Sequence, residues 1–444
     1  MLTNSLREVA SEVINRVNKW REEGKIRKTQ RVYVKCKVRK FEYRKGAISC
    51  ETIFPYEVRE EHDLKVVFDL VKCVKETGIF KKASEIIAET YNVKKPQAEL
   101  WLERLVQVLV SRCLDEVLDE SSLVDLIVTF IGDLENNPRD WFIKVWLNGL
   151  YLETDELKVD DGRVIIRKPK PSDFEYEYPL DVPPLRKLPR YPSAILEIRK
   201  RVKIRGYVYS ELEKLLILLQ LYKVGSIYVT MIEWRPKSIL LPGSTTYYHS
   251  FLPTPYTYSL SGEDEQRLSK FISHFTRLLP VDEHGKPLLS NHTGIAILRY
   301  QDAILKPEPT EVRIAYSIMG LEALYLKISE KEELSHRLAQ RVAKLMSILE
   351  HSPVKVYNII KEAYNIRSNF VHGAPIQKEK PVNLKEILDN VLEYLRISIL
   401  TFLQVGKDLE EKDRFISLLD HALLEEKALK KLINQVKESV RWEE

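Results

Sequence analysis

At 444 residues the chain is too long for one ordinary core and fits two or three domains, each large enough to bury its own apolar centre. Its 44% hydrophobic and 30% charged residues are those of a globular protein, and no run approaches the roughly 20 apolar residues that span a bilayer. Lys and Arg outnumber Asp and Glu by only 70 to 65, so the chain is not a polycation and an anionic partner has to be met by a local patch.

Cys36, Cys50, Cys73 and Cys113 form neither a C-x-x-C knuckle nor a compact disulfide framework, and are expected to be reduced structural thiols. The N-terminus runs into a charged amphipathic pattern rather than an apolar signal core, which makes the cytoplasm the expected location. High Lys and Glu with little Met and Cys is a composition that points to a thermophilic source. The chain contains no P-loop, no G-x-S-x-G elbow, no H-E-x-x-H and no dinucleotide fingerprint, so no cofactor and no metal site is expected.

From the start, residues 3–22 carry Leu6, Val9, Val13, Val17 and Trp20 at helical steps and predict an amphipathic helix. Arg31 to Arg39 then alternates Val32, Val34, Cys36 and Val38 with basic and polar neighbours, as a half-buried strand does. Around it, Lys25 to Lys45 collects ten basic residues against one acid, Glu42, with Tyr33, Phe41 and Tyr43 interleaved. That strip either tracks a nucleic-acid backbone, through Lys35, Lys37 and Arg39 above all, or is a solvated strand face paired with acids such as Glu57, Glu60 and Glu61.

Helices fill about 64–134. Two turn signals, Asn148-Gly149 and Asp161-Gly162, separate runs at 142–147, 150–159 and 163–167 and predict a small antiparallel meander. Seven prolines between Pro169 and Pro192 predict a linker over 169–193 that closes an N-terminal α/β region, 1–168, concerned with RNA or partner recognition. A middle region, 194–305, follows. In it Ser210 and Glu213 form a capping box for a helix to Leu221, and Ser226 to Trp234 predicts a strand. Tyr247, Tyr248, His249, Tyr256 and Tyr258 sit in a Pro-rich loop, where they either stack on RNA bases or pack the loop down. Further helices are expected over 263–279 and 295–305. From 306 to 444 helices at about 311–328, 331–350, 354–371, 384–405 and 412–438 make a bundle. The fold class expected is therefore a multidomain α+β protein, mainly helical, with an N-terminal α/β region and a C-terminal helical bundle.

One helix in the bundle carries a charge where an apolar residue belongs. Counting from Val356, Arg367 returns to within about 20° of it, in the middle of a stripe with Ile359, Ile360 and Ala363. A guanidinium there needs a partner, because an unpaired buried charge is very costly. Glu322, flanked on an earlier helix by Ile318, Met319, Tyr325 and Leu326, is one candidate; a phosphate held at a cleft between subunits is the other. His372 ends the same helix, next to Gly373 and just before Pro375. It either caps the helix dipole or acts with Arg367. On a continuing helix the two side chains point about 140° apart, so they converge only if the chain leaves the helix there or two subunits pool them.

Three blocks, Ser317 to Tyr325 (SIMGLEALY), Leu334 to Val342 (LSHRLAQRV) and Tyr364 to Gly373 (YNIRSNFVHG), resemble in order and spacing the helical signatures of the Apea-like HEPN family. The resemblance covers the C-terminal third and implies a ribonuclease in which Arg367 and His372, four residues between them, work in a homodimer without a metal ion. The residue after the Arg, often Asn in the wider superfamily, is Ser368 here, with Asn369 one step later; either is expected to orient His372 or the ribose. Arg337 and Arg341, on the middle block, extend a phosphate-binding surface or else belong to an exposed face. The expected function is a metal-independent endoribonuclease acting on RNA in antiviral defence or stress response. The alternative is a non-catalytic HEPN module that dimerises and binds RNA or a protein.

Overall fold

The stripe Leu6, Val9, Val13 and Val17 is completely buried or nearly so, and it sets the position of everything in the first third. In the computed structural model, which describes residues 1–179, 191–202, 205–241, 243–248, 256–372, 383–406 and 408–440, that stripe lies on α1 (Leu2–Glu22). It packs with α2 (Leu64–Lys75), α3 (Gly78–Thr90), α4 (Lys95–Asp115) and α5 (Glu120–Leu134) around a core of its own. Side-chain oxygens fix the helix starts: Thr77 accepts the Phe80 N–H at the head of α3, and Asp119 accepts that of Ser122 at the head of α5.

Between α1 and α2 the basic strip forms a ribbon. β1 (Lys28–Arg44) is longer than the alternation at 31–39 announces, because the return strand accompanies it throughout. β2 (Ala47–Ile53) and β3 (Tyr56–His62) come back along β1 in one register, from Val38↔Thr52 to Lys28↔His62. A bulge between Val38 and Lys40 shifts the parity of β1. Inward-facing residues are therefore Val34 and Cys36 before it, and Phe41 and Tyr43 after it.

The expected meander is corrected. The runs do form β4 (Arg139–Asn148), β5 (Leu150–Leu152), β6 (Glu156–Val159) and β7 (Val164–Arg167), but only β6 and β7 make a hairpin. β4 instead lies between β9 (Ala194–Val202) and β10 (Tyr228–Pro236), and β5 pairs in parallel with β12 (Tyr258–Leu260). The Asn148-Gly149 turn closes no hairpin, because β4 and β5 take other partners; Gly149, at φ +94°, must be glycine since the Ser226 carbonyl oxygen lies 2.1 Å from where a Cβ would stand. With β11 (Ser244–Tyr247) the sheet runs β11-β10-β4-β9-β7-β6.

The proline-rich linker is corrected as well. A 3-10 turn at Pro171–Asp173 and β8 (Tyr176–Pro179), which pairs with β1, occupy its first part; residues 180–190 lie outside the described residues. Because β4 on one side of it hydrogen-bonds to β9 and β10 on the other, it does not separate two cores. α6 (Arg205–Tyr222) begins before Ser210, which is an interior helical residue and not its cap.

Trp141, Ile143, Leu196 and Ile232 on the inner sheet face join one continuous apolar core with α6, α7 (Asp264–Phe275), α8 (His292–Leu305), α9 (Thr310–Tyr325), α10 (Leu334–Ile348), α11 (Pro353–His372), α12 (Leu384–Val405), α13 (Leu409–His421) and α14 (Glu426–Val440). The helix expected at 412–438 is two, broken at 422–425. The protein is thus mixed α+β, with packed helices from α7 onward. Among the described residues no helix is long and apolar enough to cross a membrane.

Asp133, at the end of α5, joins the first helical core to the sheet. Its carboxylate accepts from the Ser238 hydroxyl and the Ile239 and Leu240 N–H groups at 2.7–3.0 Å, and lies 3.0 Å from Arg139 Nε. Asp133→Ala strands the Arg139 guanidinium, only 9% exposed, and should cost about 3 kcal/mol or more in a urea titration. An unchanged midpoint would mean that the apolar contacts of Ile239 and Leu240 hold the joint alone.

Candidate functional site

Arg367 on α11 and Glu322 on α9 face each other, 45 residues apart in sequence. A single contact of 3.3 Å joins Arg367 Nη2 to Glu322 Oε2, with 24% and 17% of the two side chains exposed. Tyr364, one turn before Arg367, lies close enough to the same carboxylate to lower its pKa, and the Arg367 guanidinium stands over its ring at 5.8 Å. Arg367 Nε is buried with no acceptor. Burial raises the Glu322 pKa above the ordinary carboxylate value, and Arg367 and Tyr364 offset that only in part. The pair is accordingly a loose one. Arg367 is neither sealed in the core nor open to water, and it keeps unused donors.

Ser368 and Asn369 are half-buried on the following turn, and Phe370, Val371 and His372 are exposed. α11 stays helical through His372. Within one chain, then, Arg367 and His372 point about 140° apart and are separated by about 7.5 Å along the helix axis. Gly373 and Pro375, the termination signals, lie outside the described residues. Tyr364 is the participant that motif reading passed over, although its place three residues before Arg367 puts it on the same helix face.

The other sites fall out differently. Arg341, expected on a phosphate-binding surface, is instead 1% exposed. Its Nε and Nη2 donate to Asp420 at 2.7 Å, Nη1 and Nη2 donate to Glu330 at 2.8 and 2.6 Å, and Nη1 also reaches the Tyr325 carbonyl. No donor remains for a phosphate. Arg337 is 42% exposed and leans on Glu330 at 3.4 Å. His336 shares a 2.8 Å hydrogen bond with the Tyr357 hydroxyl.

On the ribbon, Lys35 is ion-paired with Glu57, Arg39 lies 3.5 Å from Glu51, and Lys37 is exposed. Of the loop tyrosines, Tyr256 donates to Asp389 at 2.7 Å and the buried Tyr258 donates to the Leu219 carbonyl at 2.7 Å, so both pack the chain down. His249 lies outside the described residues. Among the described residues no cluster of three or more His, Cys, Asp or Glu side chains is placed to hold a metal ion.

No protein-family model, no curated protein and no solved structure matches the chain.

The Arg341 network yields a pH prediction. Hydrogen bonds from Arg341 hold Glu330 at about 2, against an ordinary 4.5. A depressed carboxylate supplies stability that is complete above the unfolded value and is lost as pH falls through the folded one. Melting temperature should therefore decline between about pH 5 and pH 2, and Glu330→Gln should remove part of that slope. Arg341→Met, which strands Glu330 beside Asp420, should cost about 3 to 5 kcal/mol at neutral pH. Melts that are indifferent to both changes would contradict a structural role for the network.

Proposed function

We propose that the C-terminal helices form an RNA-cleaving module of the HEPN type, in which two copies of the chain pool Arg367 and His372. The supporting observation is the state of Arg367: a half-buried guanidinium on one long contact, with Nε unsatisfied, on a helix that ends in an exposed His. Arginine in that condition suits a bidentate oxyanion, which takes up donors that Glu322 leaves idle. Phe370 and Val371, 48% and 53% exposed between the two functional residues, offer apolar surface for a second copy.

The chemistry is an in-line transesterification. The ribose 2′-hydroxyl attacks the adjacent phosphorus and the P–O5′ bond breaks, leaving a 2′,3′-cyclic phosphate and a 5′-hydroxyl. His372 from one copy removes the 2′ proton or supplies the one the 5′ oxygen needs, since imidazole exchanges protons near neutral pH. Arg367 stabilises the charge that gathers on the phosphoryl oxygens. Ser368 or Asn369 orients the imidazole or the ribose. The resemblance gives this reaction no metal, and a cytoplasmic role in defence or stress belongs to the same proposal. The Glu322 contact favours a second reading, a binding module that dimerises and holds RNA or protein without cutting it.

Arg367→Ala and His372→Ala, assayed on single-stranded RNA in EDTA, should each lower turnover by about a hundredfold or more. Melting temperature separates chemistry from damage. If Arg367→Ala merely unfolds the domain while His372→Ala cuts at full rate, the ribonuclease reading fails and the binding module stands. Light scattering should give a dimer at micromolar concentration, and Phe370→Asp should abolish dimer and cleavage together. A Phe370→Asp monomer that still cleaves would rule out the pooled site.

A further inference from the structure

The six-stranded sheet has an outer face, and only part of it is covered. Trp146, Ile195 and Met231 on that face lie under Phe174, Phe41 and Ile48 of the turn and ribbon. Two residues further along each strand, Lys144, Glu197 and Glu233 form a polar row. Lys144 is paired with Asp173 at 2.6 Å, and Glu197 with Arg167 at 2.7 Å. Beyond that row the face lies open among the described residues.

Strand register assembles the open part. Arg235 on β10, Phe142 on β4 and Arg199 on β9 are direct cross-strand partners. The Arg199 N–H donates to the Arg163 carbonyl at 2.8 Å, placing Arg163 next in the same row. Four strands thus carry Arg235, Phe142, Arg199 and Arg163 across about 14 Å, at the usual strand spacing. Lys237, Asp140 and Arg201 make the next row, with the Lys237 N–H on the Asp140 carbonyl.

Arg163, Arg199, Arg201, Arg235 and Lys237 are all exposed, against Asp140, Glu197 and Glu233 on the same face, and Glu197 is held by Arg167. Glu233 is already held by Arg235. Arg163 and Arg199 have no ion pair among the described residues, and Asp140 stands between Arg201 and Lys237 in the next row. Phe142 is half-exposed at the centre, with the Arg199 guanidinium 5.8 Å from its ring centroid. At its end the face opens into a cleft of about 380 Å³ between α5 and the sheet, where Arg139, Arg201 and Lys237 are matched by Asp133, Glu135 and Asp140.

We propose that this open sheet face is a binding surface for single-stranded RNA, with bases stacking on Phe142 and the Arg199 guanidinium and phosphates lying on the surrounding cations. A flat ring beside a guanidinium accepts the face of any base, and the row of arginines follows a backbone. A fully paired duplex keeps its base faces stacked inside and has none to give to Phe142. The inference extends the RNA reading to another part of the molecule and does not need Arg367 or His372 to be catalytic.

The test uses the full chain and a fluorescent 2′-O-methyl oligouridine, which has no attacking hydroxyl, so anisotropy reads binding without cleavage. Arg163→Glu/Arg199→Glu should weaken binding by more than tenfold and flatten the dependence of log K on log salt by about 1.4, the share of two single-strand phosphate contacts. Phe142→Leu should weaken it about tenfold with little change in that slope. The melting temperature of each variant should match wild type, since the arginines are exposed. Three results would overturn the surface: no binding by wild type, equal binding by the variants, or competition by duplex RNA or polyglutamate as strong as by the oligomer. Loss on Lys37→Glu/Arg39→Glu but not on Arg163→Glu/Arg199→Glu would move the RNA to the ribbon and also overturn it. Intact binding beside failed cleavage would remove the nuclease reading and leave this one.

Discussion

A guanidinium taken out of water must find acceptors for its five N–H donors, and the helical half of this chain is organised by one that does. Arg341 gathers Glu330 from the segment after α9, Asp420 from α13 and the carbonyl that ends α9, so one side chain on α10 locks three elements. Lys412, 3% exposed, adds its own bond to the Leu326 carbonyl nearby. Arg367, one helix further on, does not meet the requirement. The contrast matters for function because the same residue type, in the same bundle, is fully engaged in one place and left with donors in the other.

A second constraint is the two-sidedness of the sheet. Its inner face supplies Trp141, Ile143, Leu196 and Ile232 to the core that the C-terminal helices complete, so sheet and bundle cannot be separated without exposing both. Among the described residues the outer face has no helix layer. Half of it is closed by the aromatic cluster of Trp146, Phe174 and Tyr191 beneath the ribbon, and the remainder carries charged side chains. A sheet covered in this way needs alternation on every strand. The alternation places Arg199 and Arg201 outward while Ile198 goes inward, which is how cations from distant segments reach one surface.

Periodic segments were legible in the sequence because burial there is local. The stripe of α1 and the helices of the bundle follow from side chains within a few residues of one another, whereas the capping box read at Ser210 and Glu213 lies inside α6. Pairing partners were not legible. The Asn148-Gly149 signal is a real turn, but the partners of β4 are β9 and β10, which come from segments that no local signal names. The prolines of 169–192 do not separate two cores, since composition does not reveal that β4 before them hydrogen-bonds to β9 and β10 after them. At the candidate site the stripe angle of Arg367 and the partner Glu322 were both readable, whereas the interior place of Arg341 was not, because its acids come from a loop and from α13.

The helicity of α11 decides how any chemistry at Arg367 and His372 has to be arranged. Five residues of continuous helix turn the imidazole about 140° from the guanidinium and carry it about 7.5 Å along the axis, so a phosphate gripped by one lies out of reach of the other in the same chain. Bending the helix there would require breaking backbone hydrogen bonds near its end, and α11 shows no such break. In the dimer we propose, two copies crossing near Phe370 would avoid that cost, because each would bring its His toward the other's Arg while the exposed apolar residues between them became buried. The resulting groove would run between protomers, and each protomer would also carry its own open sheet face. Under that proposal a single strand touching both would be held by several weak contacts at once, which would raise its local concentration at the Arg/His pair without a tight pocket for any one base.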